Sequence, residues 1–393
     1  MTTDTFSPPS LSLLQLSLRF LRFGFLAFGG PVAQIAMVKQ ALVEEDRWIS
    51  PVRFNRLLAV MQILPGPEAH ELCVHLGMVA RGRIGGLLAG LGFMLPGFVL
   101  MLIAAWLYKD WIVGNPVMTP IFLGVQVVVV AIIARAVQRI GTHVLEDKLL
   151  WLLAIAALGA TLAGVPFWIP LIASGLIYRW AARRVAAAAI FVVAVLLAVL
   201  MPGAEPLAKT GVAASEVGIL ALFIAGLKGG LLTFGGAYTA IPYVRTDTVG
   251  RGWISDASFL DGVAFAGMLP APLVIFATFT GYVAAGLPGA LAITAGMFLP
   301  AFAFSLIFFE RLEAIVENPA LHRVLAGVAA AVVGVIAATL LQLGWSTAER
   351  SASLASSALL FCAALFAAWR WKGKLTAPAL ILAGGAAGWA MNI

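Results

Sequence analysis

The chain alternates long apolar runs with short polar links. Runs near the length that crosses a bilayer as a helix, about 20 residues, fall at 14–37, 55–80, 85–108, 119–141, 149–165 and 167–180. A second set falls at 214–241, 259–284, 287–309, 323–344, 352–370 and 375–392, and one further run, 186–201, stands between the sets. The pattern predicts an all-α polytopic membrane protein with two groups of about six helical segments.

The two groups are copies of one another. Phe28-Gly29-Gly30 recurs as Phe234-Gly235-Gly236, 206 positions on. Trp48-Ile49-Ser50 and Leu64-Pro65-Gly66-Pro67 recur at an offset of 205 as Trp253-Ile254-Ser255 and Leu269-Pro270-Ala271-Pro272. Gly77, Gly82, Gly85 and Leu95-Pro96 recur at 204, and Asn115-Pro116 and Gly124 at 203. A drift this small comes from loop deletions, so the chain divides into a repeat at 1–185, a linker helix and loop at 186–213, and a second repeat at 214–393. Six segments plus one linker is odd. If every segment crosses, the second repeat enters from the opposite face and the repeats are inverted. On that count the amino-terminal side carries about twice as many loop Lys and Arg residues, which puts the amino terminus in the cytoplasm.

Composition narrows the class. With 62% hydrophobic and 11% charged residues, the chain lacks the polar surface of a soluble protein. Its net charge of +7 is scattered through the links rather than gathered in one patch, so no nucleic-acid partner is expected. Cys73 and Cys362 lie in apolar runs, which predicts neither a disulfide nor a cysteine metal site. No cleavable leader is expected, and the first run serves as the insertion signal.

Two pairs of breaks interrupt the apolar runs. At membrane depth a broken helix exposes backbone groups that need protein, water or ligand. Gly29 and Gly30 permit unusual backbone angles, and Pro31 suits the start of a new helix. The amides at such a start favour an anion. The second copy keeps Gly235 and Gly236 but has Ala237 in place of Pro31. Pro65-Gly66-Pro67 and Pro270-Ala271-Pro272 form the second pair. Discontinuous helices at matching places in two repeats point to a substrate site near the midplane; close helix packing at small residues is the alternative.

Basic residues follow the repeat as well. Arg22 corresponds to Lys228, each about two turns before its glycine pair, and Lys39 corresponds to Arg245. Ionisable residues inside an apolar run are functional candidates, so Arg22 and Lys228 are expected at the substrate. Snorkelling to the interface is their alternative. For Lys39 and Arg245, gating competes with simple anchoring at a loop end.

The stretch "EAHELCVHLG", Glu68 to Gly77, is polar in the first copy only. His70 and His75 are five residues apart, a rotation of about 500° on a helix, which spoils two-histidine metal ligation. No metal or other cofactor is expected. Glu68 suits the first turn of a helix or a coupling role, and His70 is the other group able to titrate near neutral pH. No catalytic constellation is present, so an enzyme is not expected. A membrane enzyme or a non-transporting scaffold subunit remains the alternative of another class.

"FGGP", "LPGPEA", "GGLLAGLGFMLPG", "TFGGAYTAIPYV", "GWIS" and "MLPAP" together resemble the chromate ion transporter family in its long, two-domain form. The resemblance covers nearly the whole chain and is weakest around the linker. It implies a secondary transporter exporting chromate across the bacterial inner membrane, with halves of opposite topology, and chromate resistance as the outcome. The chain departs from the family pattern at Ala271 and in the titratable "HELCVH" stretch. The expected partners are chromate or a sulfate-like oxyanion and the lipid bilayer, with a homodimer left open. Alternating access is expected from rocking of one repeat against the other.

Overall fold

A computed structural model of the chain describes residues 8, 10–61, 66–201, 217–233, 236–308, 319–371 and 373–392. Every regular element described is helical. Helix α1 (Leu13–Phe25) opens with a capping box in which Ser12 and Gln15 bond one another's backbone amides. It ends at the glycine pair, and α2 (Gly30–Lys39) begins there with Gly29 at φ 87° and Gly30 at φ 75°. Two successive left-handed residues reverse the chain. Asp46, beyond the end of α2, pairs with Arg19 of α1, and the Trp48 ring lies 6.3 Å from that of Phe20. The segment 14–37 is therefore not a single span. It enters, turns at the glycines and comes back.

The second repeat does the same. Helix α9 (Ile219–Leu231) precedes the break and α10 (Ile241–Thr248) follows it, with Lys228 of α9 and Asp247 of α10 joined at 3.0 Å. Segment 214–241 likewise returns instead of crossing.

Segments 55–80 and 259–284 return too. Helix α3 (Pro51–Met61) runs inward to the PGP break, and α4 (Glu68–Leu107) leads away from it. Within α4 the chain folds into two arms at Arg81 (φ −143°, ψ 31°) and Gly82 (φ 63°, ψ −161°). The arms are antiparallel: a methyl on Gly77 would strike the Gly85 carbonyl, and one on Gly90 would strike Val74. In the second repeat, α11 (Asp256–Met268) leads to the PAP break and α12 (Phe276–Ala303) carries the same turn at Ala285 (φ −143°, ψ 24°) and Gly286 (φ 64°, ψ −156°). Its arms are tied by a 2.7 Å bond between the hydroxyls of Thr278 and Thr294. Only glycine holds such a turn without strain of about 1–3 kcal/mol. Gly82→Ala is expected to lower the thermal unfolding midpoint in detergent, and an unchanged midpoint would contradict the hairpin.

Among the described residues, four helices are long and apolar enough to cross a membrane: Glu68–Ile112, Met118–Val144, Leu273–Ile307 and Leu321–Arg350. The outer arm of α4 with its π-turn covers 83–112, or ~45 Å at 1.5 Å per residue. Gly24 lies against Pro96, about 20 Å along that arm. The first glycine break thus sits halfway down a crossing helix.

Helix α5 (Met118–Val144) is the counterpart of the helix Pro319–Arg350, here α13. Gly141 of α5 has Val333 of α13 3.7 Å from its Cβ position, and Gly344 of α13 has Val130 of α5 at the same 3.7 Å. Each member of one pair is the repeat counterpart of a member of the other. The two helices therefore run antiparallel about a twofold axis, and the repeats are inverted.

The repeats also interlock. Helices α6 (Lys148–Leu162) and α7 (Trp168–Arg179) pack on α13, with Gly334 against Ala154 and Gly327 against Ser174. Helix α8 (Arg184–Leu200) is the linker and has no buried residue; of the linker loop, residues 202–213 lie outside the described residues. Helices α14 (Leu354–Arg370) and α15 (Thr376–Met391) pack on α5, where Gly124 meets Gly384 and Gly388. Small residues let membrane helices approach this closely. Each repeat's long helix is embraced by the other repeat's hairpin, so neither repeat can rock as a body against the other. The separable units are a bundle of hairpins, α1–α4 with α9–α12, and a second bundle, α5–α7 with α13–α15.

Candidate functional site

The four breaks converge in crossed pairs. Gly66 of the PGP turn donates its N–H to the carbonyl of Thr233, next to the second repeat's glycine pair, at 2.9 Å. On the other diagonal, Gln34 of α2 bridges the first glycine break and the PAP turn. Its Nε2 donates to the carbonyls of Ala27 at 2.8 Å and Ala271 at 3.0 Å. Pro67 precedes α4 as its cap, Pro270 is buried, and Pro272 caps the short turn Leu273–Ile275. Gly236, at φ 133°, opens the turn Ala237–Ala240. Pro65 and Gly235 lie outside the described residues.

The departure at Ala271 has a steric explanation. Ala271 packs on Gly97, so closely that a methyl there would collide with it. The counterpart contact places Gly66 beside Ala301, and Ala301 is the repeat counterpart of Gly97. Each contact thus has one glycine and one alanine, with the methyl on opposite partners.

Titratable residues gather under the PGP turn. Glu68 and His70 are buried in the first turn of α4, and the rings of Phe298 and Phe302 stand 5.0 and 4.8 Å from His70. Glu71 is fully buried, and neither carboxyl oxygen has a hydrogen-bond partner among the described residues. Its Oε1 lies where a Gly66 side chain would stand. Sequence reasoning passed over Glu71. The available signal was its place one turn after the break in a run that is otherwise apolar in the second copy.

The four predicted cations are placed differently. Lys228 is held by Asp247, and Arg22 is exposed on α1. Lys39 faces Glu44 at 3.9 Å. Arg245 is clamped by both carboxylate oxygens of Asp256, at 2.7 and 2.9 Å, and reaches Gln342 at 2.7 Å. Lys374, which no motif marks, has its Cα 3.0 Å from where a Gly29 side chain would begin. The tip of the α14–α15 hairpin thus touches the first glycine break.

Where the second repeat's breaks meet α5 and α15, Ile133, Tyr238, Val263, Leu273 and Ile381 help enclose a cavity of about 10 Å³. That is room for about one water and too small for an oxyanion. Backbone amides at the start of α2, with the exposed Lys374 beside them, make an arrangement suited to anions.

The chromate transporter family profile matches residues 14–180 and 220–389, once in each repeat. A chromate transport protein of Pseudomonas aeruginosa is 56% identical over 387 residues, covering 97% of this chain and 93% of that protein. One of Cupriavidus metallidurans is 33% identical, with 96% and 92% covered. A probable chromate transport protein of Synechococcus elongatus is 30% identical, with 97% and 96% covered. No solved structure matches the chain. With a doubled family match, crossing helices and inverted repeats in one molecule, this multi-pass membrane protein belongs to the chromate transporter family.

Proposed function

We propose that the protein is a secondary transporter that exports chromate from the bacterial cytoplasm across the inner membrane, conferring chromate resistance. The observation that carries this reading is the bonded crossing of the helix breaks halfway down the crossing helices. The backbone around Gly29 and Gly30, with Gly235 and Gly236 in the other repeat, would hold the oxyanion, and Pro65, Gly66, Pro67, Pro270, Ala271 and Pro272 would hold the breaks in place. Lys374, Arg22 and Lys228 supply positive charge around them. Glu68 and His70 serve coupling, and Lys39 and Arg245 serve gating.

An inside-negative potential favours outward movement of a dianion by about 2.3 kcal/mol per charge per 100 mV, so about 4.6 kcal/mol for two charges. Orientation follows the loop charges. With the hairpins returning, Arg47, Arg81, Arg83, Arg179, Arg183 and Arg184 fall on the amino-terminal side, against Lys109, Arg251 and Arg350 on the other, which supports a cytoplasmic amino terminus. Amide ends distinguish tetrahedral dianions poorly, so sulfate is expected to compete.

Everted vesicles containing the protein are expected to take up radiolabelled chromate saturably, to lose uptake to excess sulfate, and to fall at least tenfold with Gly29→Ala. Absence of saturable chromate uptake would overturn the substrate assignment.

A further inference from the structure

We propose that the structure is one end state of a transport cycle, shut on the side opposite the amino terminus by a latch of Tyr108, Gln126, Asp261 and Arg350 between the two bundles. Opening that side requires the latch to part and α11 to leave the second bundle. This rests on the transport reading above, but it concerns the moving parts rather than the cargo.

The latch is a continuous chain of bonds. Tyr108, at the far end of α4's outer arm, donates its hydroxyl to Asp261 of α11 at 2.8 Å. Gln126 of α5 donates to the other Asp261 oxygen at 2.8 Å, and Arg350 at the end of α13 donates to the Gln126 oxygen at 2.7 Å. Tyr108 and Asp261 belong to the hairpin bundle, Gln126 and Arg350 to the second bundle. A second tie, Arg245 of α10 to Gln342 of α13, crosses between the same bundles.

The repeats differ at this place although their folds match. Helix α11 packs on α5, α13 and α15. Its counterpart α3 packs on α4 and on the turn at 40–45, with no comparable packing on the second bundle among the described residues. Leu260 and Asp261 are buried in α11, whereas their counterparts Asn55 and Arg56 are exposed on α3. The second tie is not repeated either: the counterparts of Arg245 and Gln342 are Lys39 and Arg139, two like charges.

Helix α3 leads from the amino-terminal side to mid-depth. Exposed Arg53 and Asn55 on such a helix require water around them, since lipid cannot satisfy them. Water around α3 on the amino-terminal side and buried Tyr108, Gln126 and Asp261 on the other are the two halves of an alternating-access state. In inverted repeats the opposite state follows when the repeats exchange conformations. Then α3 docks on the second bundle and α11 stands away.

The test uses the full-length protein in vesicles, with Cys73→Ser and Cys362→Ser as the background. Gln126→Cys with Asp261→Cys places two thiols across the latch. Oxidation is expected to cut chromate transport at least tenfold, and reduction to restore it, which separates locking from misfolding. Cross-linked protein that transports as fast as the same protein with its thiols free would overturn the proposal. Independently of any cargo, Asn55→Cys is expected to react with a membrane-impermeant maleimide from the amino-terminal side, while Leu260→Cys stays unreactive. Adding Gln126→Ala is expected to raise the labelling rate of Leu260→Cys at least tenfold from the opposite side. Equal labelling with and without Gln126 would also overturn it. If labelling follows this pattern but no oxyanion moves, the cargo assignment fails and the latch stands.

Discussion

Gly97→Ala is expected to abolish transport and lower the unfolding midpoint, and Ala271→Gly in the same chain is expected to restore both. The added methyl has nowhere to go, because the Ala271 side chain already occupies its place. Overpacking of this kind typically costs about 1–3 kcal/mol, and here it would push the PAP turn, with its Ala271 carbonyl, away from the Gln34 amide that donates to it. The double variant reproduces what the chain already does at Gly66 and Ala301, where the methyl sits on the opposite partner. Thermal unfolding in detergent and vesicle uptake read the two effects separately. A double variant no better than Gly97→Ala alone would refute the exchange. Gly66→Ala with Ala301→Gly is not expected to recover in the same way, since Glu71 also fills the space beside Gly66 and its φ of 148° suits glycine.

Glu71→Met is expected to raise stability while transport is lost. A buried polar group without a partner costs about 1–3 kcal/mol, and methionine fills a similar volume without that cost. Glu71 sits against the PGP turn, and its backbone carbonyl accepts from Ser305 of the other repeat at 3.3 Å. A buried carboxyl with no bonded partner among the described residues, at such a junction, points to function held at the expense of stability. The measurements are the unfolding midpoint and initial uptake rate, with Glu71→Gln as the conservative variant. Full transport by Glu71→Met, or a lowered midpoint, would remove Glu71 from the functional set.

Much of this architecture is legible along the chain. The matched offsets reveal the duplication, and the glycine and proline positions mark where helices stop, because a break is a property of a few adjacent residues. The direction taken after a break is not local. The turn at Gly29 and Gly30 becomes a return only through partners such as Arg19 and Asp46, 27 positions apart. For that reason 14–37 and 214–241 read as spans and prove to be hairpins. The fate of the cations was equally hidden. Lys228 looked isolated among apolar neighbours, but Asp247 reaches it only after the chain doubles back.

What the order of residues determined was the membrane setting, the inverted duplication and the location of four helix breaks, since hydropathy, repetition and backbone chemistry are carried by neighbouring residues. Only the tertiary structure decided that the breaks bond in crossed pairs, that the repeats interlock into two bundles, and that Glu71, Gln34 and Lys374 stand at the centre. Those outcomes depend on contacts between residues tens to hundreds of positions apart, whose distances no local pattern encodes.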